Sequence, residues 1–198
     1  VHSQLSWGSS PGVDRIAAIR SGARTPTEIV VIDVTDDDAR RTTIETASTY
    51  PWDRDLLVEP ELVEVPVDDG VVHARLFRAE PGTAVPRLIC WLHGGPTDQW
   101  QVTFMPRLAY WRAQGWNVLV PDHRGSTGHG RAYQQALAGR WGELDVADTA
   151  AVLRHAHAAG LASPDRTVLM GSSAGGFTVL GVLARHPHLS AAAAVSYP

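Results

Sequence analysis

The chain has 198 residues, of which 44% are hydrophobic and 19% are charged, a balance typical of a globular protein with one substantial core. Its formal net charge of −4 excludes a broad basic surface, so no nucleic-acid partner is expected. All 17 basic residues are arginine, which excludes a lysine Schiff base and a P-loop lysine within this chain.

The single cysteine, Cys90, cannot form an internal disulfide and lies in an apolar run, so we expect a buried thiol. No run of about 20 apolar residues is present, so neither a membrane span nor a membrane partner is predicted. The sequence shows no secretory signal and starts at Val1 rather than at a methionine. From this we expect an internal piece of a longer, cytoplasmic protein. The pattern predicts no particular oligomeric state.

Short apolar runs rich in β-branched residues mark the first part of the chain. They cover residues 14–20, 28–34 and 41–46, and turn residues separate them. Fewer than about 50 residues of this kind rarely form a stable core alone. We therefore predict that residues 1–48 are the remnant of a larger, propeller-like β domain, and that residues 49–60, which contain two prolines, are a linker.

From residue 61 the pattern changes to alternating strands and helices. A hairpin over residues 62–78 is predicted from the turn Asp68-Asp69-Gly70. Asp145 and Asp148 fall near a predicted helix start, where carboxylates complement the helix dipole. The alternation predicts a mostly parallel sheet with helices on both faces. The further predicted strands are 87–92, 117–120, 167–170 and 191–195, and the predicted helices are 104–114, 144–159 and 174–185.

Residues 171–175 match the pattern Gly-x-Ser-x-Gly, with Ser173 in the position of a nucleophile. A predicted strand precedes the match and a predicted helix follows it, which is the context that a nucleophile elbow needs. The flanking glycines keep side chains out of the sharp turn, and the helix N-terminus points at developing negative charge. The alternative is a Ser/Gly helix start without chemistry. Ser172 is out of frame, because residue 170 is methionine.

The turn His93-Gly94-Gly95-Pro96 follows directly after the predicted strand 87–92. Glycine lets the backbone come close to a substrate, so a backbone N–H of this turn is a candidate oxyanion donor. The N–H of Ala174, directly after the nucleophile, is the second candidate donor. A plain Gly-Gly-Pro turn is the alternative. We reject His93 as the catalytic base, because the base follows the nucleophile in hydrolases of this type, and expect His93 to hold the turn by hydrogen bonds.

Four segments in this order, 93–96, 121–133, 140–148 and 171–176, resemble the prolyl oligopeptidase family of serine peptidases. The resemblance is strongest to its acylaminoacyl-peptidase and oligopeptidase-like branch. The segment Arg-Gly-Ser-Thr-Gly at residues 124–128 is the most specific part of the resemblance.

The resemblance implies an α/β-hydrolase catalytic domain with a mostly parallel sheet, preceded by the end of a β-propeller. Residues 61–198 are then expected to be the N-terminal part of that domain, incomplete at its C-terminus. The family hydrolyses short peptides through an acyl-enzyme on a serine, here Ser173, with Gly95 and Ala174 forming the oxyanion hole. No cofactor is implied, and no Cys/His/Glu cluster has the spacing of a metal site. The residues expected to support the site are His93, Gly94, Arg124, Gly171 and Gly175.

The acid and the histidine of a catalytic triad should follow Ser173, yet only 25 residues of the 198 do so. His186 and His188 lie beyond the predicted helix, about 20 Å from the nucleophile at the helical rise per residue. We therefore expect a C-terminal segment of the same parent protein to supply both groups, and the chain alone to be inactive. A carboxylesterase on the same fold and a non-catalytic fragment stay as alternatives.

Overall fold

The computed structural model describes residues 2–35, 37–48, 57–82 and 85–197. These fall into two compact units, one formed by residues 1–59 with 101–109 and the other by residues 60–100 with 110–198. Most of the predicted linker therefore lies outside the described residues.

The first unit is a four-stranded antiparallel sheet in which the strands pair in chain order. The strands predicted at 14–20, 28–34 and 41–46 are present, and a further strand, not predicted, precedes them. Apolar side chains stay exposed on this sheet, among them Leu5 and Trp7, as expected for strands that cannot bury a core alone. The strands are β1 (His2–Ser10), β2 (Val13–Gly22), β3 (Thr25–Asp33) and β4 (Arg40–Thr46).

The second unit contains a six-stranded sheet in the order β10-β9-β7-β8-β6-β5. The four strands from β10 to β8 run parallel, whereas β6 and β5 join as an antiparallel hairpin. The strands are β5 (Glu61–Val67), β6 (Gly70–Phe77), β7 (Arg87–Leu92), β8 (Trp116–Asp122), β9 (Thr167–Ser172) and β10 (Ala192–Ser196).

Helices connect the parallel strands, as the alternating pattern predicts. The third and fourth helices pack against each other and against the sheet. The first begins two residues later than predicted, at a proline, whose fixed φ suits the first helical position. The second was not predicted. The helices are α1 (Pro106–Ala113), α2 (Arg131–Gln135), α3 (Leu144–Ala158) and α4 (Ala174–Arg185), with short 3₁₀ turns at Pro164–Arg166 and Pro187–Leu189.

The core of the second unit lies between the sheet and the helices α3 and α4. Leu88, Leu119, Leu153, Leu169 and Val179 are buried within it. Cys90 is fully buried in β7, as predicted, and burial raises the pKa of its thiol to about 12. No helix in the described residues combines the length and the hydropathy needed to cross a membrane.

Two leucines of the same sheet give a matched test of this core. Leu169 is 0% exposed and Leu62 is 83% exposed. We expect Leu169→Ala to lower the free energy of unfolding by about 3 kcal/mol, because it leaves a cavity that the packed core cannot fill. Leu62→Ala should change it by less than about 0.5 kcal/mol. Urea unfolding followed by far-ultraviolet circular dichroism measures both, and equal losses would contradict the packing described here.

Candidate active site

The predicted nucleophile lies between a strand and a helix. β9 ends at Ser172, α4 begins at Ala174, and Ser173 between them has φ 53° and ψ −129°. This backbone conformation is strained for a residue with a side chain. Two backbone hydrogen bonds hold it: Ser173 N–H donates to Ser196 O at 3.1 Å, and Phe177 N–H donates to Ser173 O at 3.1 Å. The side chain of Ser173 is exposed, so the turn presents the hydroxyl to solvent.

The two glycines of the motif make this turn possible by close backbone contact. A Cβ atom on Gly171 would lie 2.5 Å from the carbonyl oxygen of Gly175. A Cβ atom on Gly175 would lie 2.5 Å from the oxygen of His93 and 2.7 Å from that of Leu92. Such distances are far inside van der Waals contact, so only glycine fits either position. The first turn of α4 therefore packs directly on the end of β7.

The turn after β7 lies beside the nucleophile. Leu92, the last residue of β7, pairs with Gly171 in β9, so residues 93–96 begin next to the elbow. A Cβ atom on Gly94 would be 3.6 Å from the Cβ of Ser173, an ordinary contact. Gly95 follows with φ 128°, a conformation that favours glycine, and a cis peptide joins it to Pro96.

The two candidate oxyanion donors have free N–H groups. Among the described residues, no acceptor takes the N–H of Gly95 or that of Ala174. The N–H of Ala174 belongs to the first turn of α4, where backbone donors have no partner within the helix and the dipole favours negative charge. These are the electrostatic properties that an oxyanion hole needs.

His93 is 1% exposed and both of its ring nitrogens are engaged. Nδ1–H donates to the carbonyl oxygen of Gly94 at 2.7 Å, and Nε2 lies 2.8 Å from the hydroxyl of Ser126. Desolvation by burial, and next the neighbouring His123 ring stacked at 4.8 Å, hold the pKa of His93 below its ordinary value. A neutral imidazole with these partners supports the turn and is not available as a base for Ser173.

Arg124 is held by carboxylates rather than directed at a substrate. Its guanidinium Nη2 donates to Asp148 Oδ1 at 2.6 Å, and its backbone N–H donates to Asp148 Oδ2 at 2.8 Å. Asp69 accepts a further hydrogen bond from Nη1. Hydrogen bonding to Asp148 raises the pKa of Arg124 above its ordinary value. Arg124 therefore fixes the loop after β8 to α3 and supports the position of that loop.

The carboxylate of Asp145 is a site feature that sequence reasoning missed. It lies in the first turn of α3, as predicted, and it is fully buried. Its Oδ1 accepts from Gly142 N–H at 2.7 Å and its Oδ2 from the hydroxyl of Thr178 at 2.5 Å. Thr178 lies on α4, so Asp145 ties α3 to the helix that carries the elbow. No local sequence signal distinguishes this carboxylate from an exposed one.

No base for the nucleophile lies among the described residues. Ser173 Oγ has no hydrogen-bond partner within the part of the chain that the structure describes. His186 follows the far end of α4, where its Nδ1 lies 3.4 Å from the guanidinium of Arg154. In the same described ranges, no group of three or more His, Cys, Asp or Glu side chains could hold a metal ion.

Comparisons with known proteins find similarity to one family of peptidases. Residues 102–198 match the family model Peptidase_S9, the prolyl oligopeptidase family. The chain is 36% identical over 111 residues to an acylamino-acid-releasing enzyme of Arabidopsis thaliana, covering 56% of this chain and 14% of the relative. It is 34% identical over 105 residues to dipeptidyl peptidase family member 6 of Caenorhabditis elegans, covering 52% and 14%.

Solved structures extend the similarity to nearly the whole chain. A crystal structure of puromycin hydrolase superposes with a TM-score of 0.83 at 30% identity, covering 98% of this chain and 30% of that one. A puromycin-hydrolyzing peptidase of Mycobacterium tuberculosis gives a TM-score of 0.83 at 28% identity, covering 91% and 29%. The chain thus spans about a seventh of these curated relatives and under a third of these solved chains. The resemblance and the fold class predicted from the sequence are confirmed.

Two glycines of the site give contrasting predictions for stability. Gly175→Ala drives a methyl group into backbone carbonyls, and we expect a loss of at least about 2 kcal/mol in the free energy of unfolding, in the range typical of overpacking. Gly94→Ala places its methyl at ordinary contact distance, 3.6 Å from Ser173, and should leave the unfolding temperature unchanged. Thermal unfolding of the two variants checks this. Equal destabilisation would show that the elbow does not depend on the contact with β7.

Proposed function

We propose that the protein is a serine peptidase of the prolyl oligopeptidase family, whose model residues 102–198 match, and that it hydrolyses short peptides through an acyl-enzyme on Ser173. The observation that carries the proposal is the geometry of Ser173. It is exposed, held at positive φ, and placed at the N-terminus of α4 beside the glycine turn after β7.

In the proposed reaction, Ser173 Oγ attacks the carbonyl carbon of a peptide bond while a general base accepts the hydroxyl proton. The carbonyl oxygen becomes an oxyanion, which the N–H groups of Gly95 and Ala174 stabilise. The base then donates the proton to the leaving amine as the C–N bond breaks. Water hydrolyses the resulting ester by the same steps and releases Ser173.

We assign the acid and the histidine of the triad to a part of the parent protein that follows residue 198. Two observations support this assignment. Ser173 Oγ has no partner among the described residues, and the chain spans only 14% of its first curated relative. On this proposal that part of the parent protein packs against residues 61–198 and completes the same catalytic domain.

The same proposal covers the organisation of the chain. Residues 1–48 form the end of a β-propeller, residues 49–60 a linker, and residues 61–198 the N-terminal part of the catalytic domain. The paired meander β1–β4 has the form of one propeller blade. We propose a cytoplasmic enzyme without cofactor or nucleic-acid partner.

The substrate class is inferred from chemistry and from the names of the relatives. The names of two relatives, an acylamino-acid-releasing enzyme and a dipeptidyl peptidase family member, refer to an acylated amino acid and to a dipeptide. We propose short peptides with a free or blocked N-terminus as substrates of this protein. A carboxylesterase on the same fold is the alternative, and the Arg124 loop, which the resemblance ties to peptidases, favours the peptidase.

Two adjacent serines test the nucleophile in the full-length protein. We expect Ser173→Ala to lower turnover of a peptide p-nitroanilide by about 10⁴-fold or more, because the covalent step loses its nucleophile. Ser172→Ala, one residue earlier and out of frame, should keep most of the activity. Labelling with a fluorophosphonate should disappear only in Ser173→Ala.

The opposite result for the two serines would refute the assignment of Ser173. Hydrolysis of p-nitrophenyl esters without hydrolysis of the peptide substrate would favour the carboxylesterase.

The isolated 198-residue chain should not turn over the peptide p-nitroanilide. A serine hydroxyl is a weak nucleophile without a neighbouring base, and none hydrogen-bonds Ser173 in the described residues. The measurement compares the purified chain with its Ser173→Ala variant under identical conditions. Steady turnover that the substitution abolishes would contradict this prediction and place a base within the chain.

A further inference from the structure

The segment Arg-Gly-Ser-Thr-Gly, distinctive in the sequence, lies against the glycine turn that follows β7. Its serine, Ser126, is 0% exposed, so it cannot touch a substrate. Ser126 Oγ lies 2.8 Å from His93 Nε2 and 2.7 Å from the carbonyl oxygen of His123. Ser126 is therefore a buried hydroxyl that joins two loops of the site.

The direction of these hydrogen bonds follows from counting protons. The carbonyl oxygen of Gly94 can only accept, so the proton of His93 is on Nδ1. Burial lowers the pKa of His93 and keeps the ring neutral, so Nε2 carries a lone pair. The hydroxyl of Ser126 is then the one donor for two acceptors, His93 Nε2 and the carbonyl oxygen of His123, and it shares its single proton between them. Its contact with Nε2 restrains the orientation of the ring.

The oxygen that His93 holds belongs to the peptide group whose N–H is the candidate oxyanion donor. The C=O of Gly94 and the N–H of Gly95 form one planar unit, so fixing the oxygen fixes the direction of the N–H. Glycines on both sides leave this unit without steric preference for one rotation. An external restraint is therefore needed, and His93 with Ser126 behind it supplies one.

The loop that carries Ser126 is itself rigidly attached. Thr127 N–H donates to Asp98 O at 3.0 Å, which joins the loop to the same turn a second time. Gln99 Nε2 donates to Asp122 Oδ2 at 3.1 Å. On its other side the loop is fixed to α3 by the ion pair between Arg124 and Asp148. Ser126 therefore connects the turn at residues 93–96 to a loop that these contacts hold in place.

We propose that Ser126 is a positioning residue for the oxyanion hole, which directs the N–H of Gly95 through His93. The inference rests on the proposed function of Ser173 and assigns a purpose to the most distinctive segment of the chain. Ser126 acts through another residue and is not itself catalytic.

The first test measures backbone protection and does not need activity. In the full-length protein, amide hydrogen exchange of the peptide spanning residues 93–98 should become faster in Ser126→Ala. The matched control is Ser190→Ala, which removes a buried hydroxyl that has no partner among the described residues. Unchanged exchange in Ser126→Ala, or equal acceleration in both variants, would overturn the proposal.

The second test measures transition-state stabilisation. We expect Ser126→Ala to lower kcat for a peptide p-nitroanilide by about 10- to 100-fold, somewhat less than deleting an oxyanion donor outright. KM should stay close to that of the wild type and of Ser190→Ala. Affinity for a peptide aldehyde, which forms a tetrahedral adduct with the serine, should fall in proportion to kcat. A change in KM alone, or no change in kcat, would overturn the proposal.

A double-variant cycle tests whether Ser126 acts through His93. In the background His93→Ala, the further change Ser126→Ala should lower kcat by less than about twofold, because coupled residues are not additive. Full additivity would overturn the proposal. If Ser126→Ala does not fold, Ser126→Cys keeps a side chain of similar shape with a weaker donor. It should show the same changes in hydrogen exchange and kcat, but smaller ones. A wild-type protein without any serine hydrolase activity would refute the proposed function instead, and hydrogen exchange would still decide the role of Ser126.

Discussion

The close approach between the backbone of Gly175 and the last carbonyl groups of β7 is the constraint on which the site depends. A Cβ at this position would lie 2.5 Å from the oxygen of His93, so the first turn of α4 and the end of β7 meet without a side chain between them. Ser173, the proposed nucleophile, directly precedes α4, and the glycine turn directly follows β7. Their separation is therefore set by backbone contact, which is stiffer than contact through rotatable side chains.

Helix α3 forms hydrogen bonds both with α4, which follows Ser173, and with the loop that supports the glycine turn. Asp145 and Asp148 are three residues apart and so lie on the same side of that helix. Asp145 accepts from Thr178 on α4, whereas Asp148 accepts from Arg124 in the loop that contacts the glycine turn. One helix thereby fixes both the elbow and the support of the turn. Buried carboxylates are costly unless fully paired, and here each accepts more than one hydrogen bond.

The parts of the molecule that were predicted from the sequence are those whose signal is local. The motif that predicts the elbow lies within three positions of Ser173, and the core strands are continuous apolar runs. β1 was missed because its apolar residues, Leu5 and Trp7, are few and stay exposed, so no buried run marks the strand. The roles of Asp145 and Ser126 were missed for another reason. Each has one partner 33 residues away, Thr178 for Asp145 and His93 for Ser126, and such pairs are brought together only by the tertiary fold.

On the proposed function, the described residues supply the groups that stabilise the oxyanion, and the groups that transfer the proton lie elsewhere in the protein. Among those residues, the N–H groups of Gly95 and Ala174 and the hydroxyl of Ser173 have no hydrogen-bond partner. A strained residue such as Ser173 costs about 1–3 kcal/mol and persists only where its surroundings over-determine it. Here the surroundings are glycine contacts, two backbone hydrogen bonds and the helix start, all within the same unit of the chain. The geometry that would stabilise an oxyanion is thus set by the fold of this unit, independently of the groups that would move the proton.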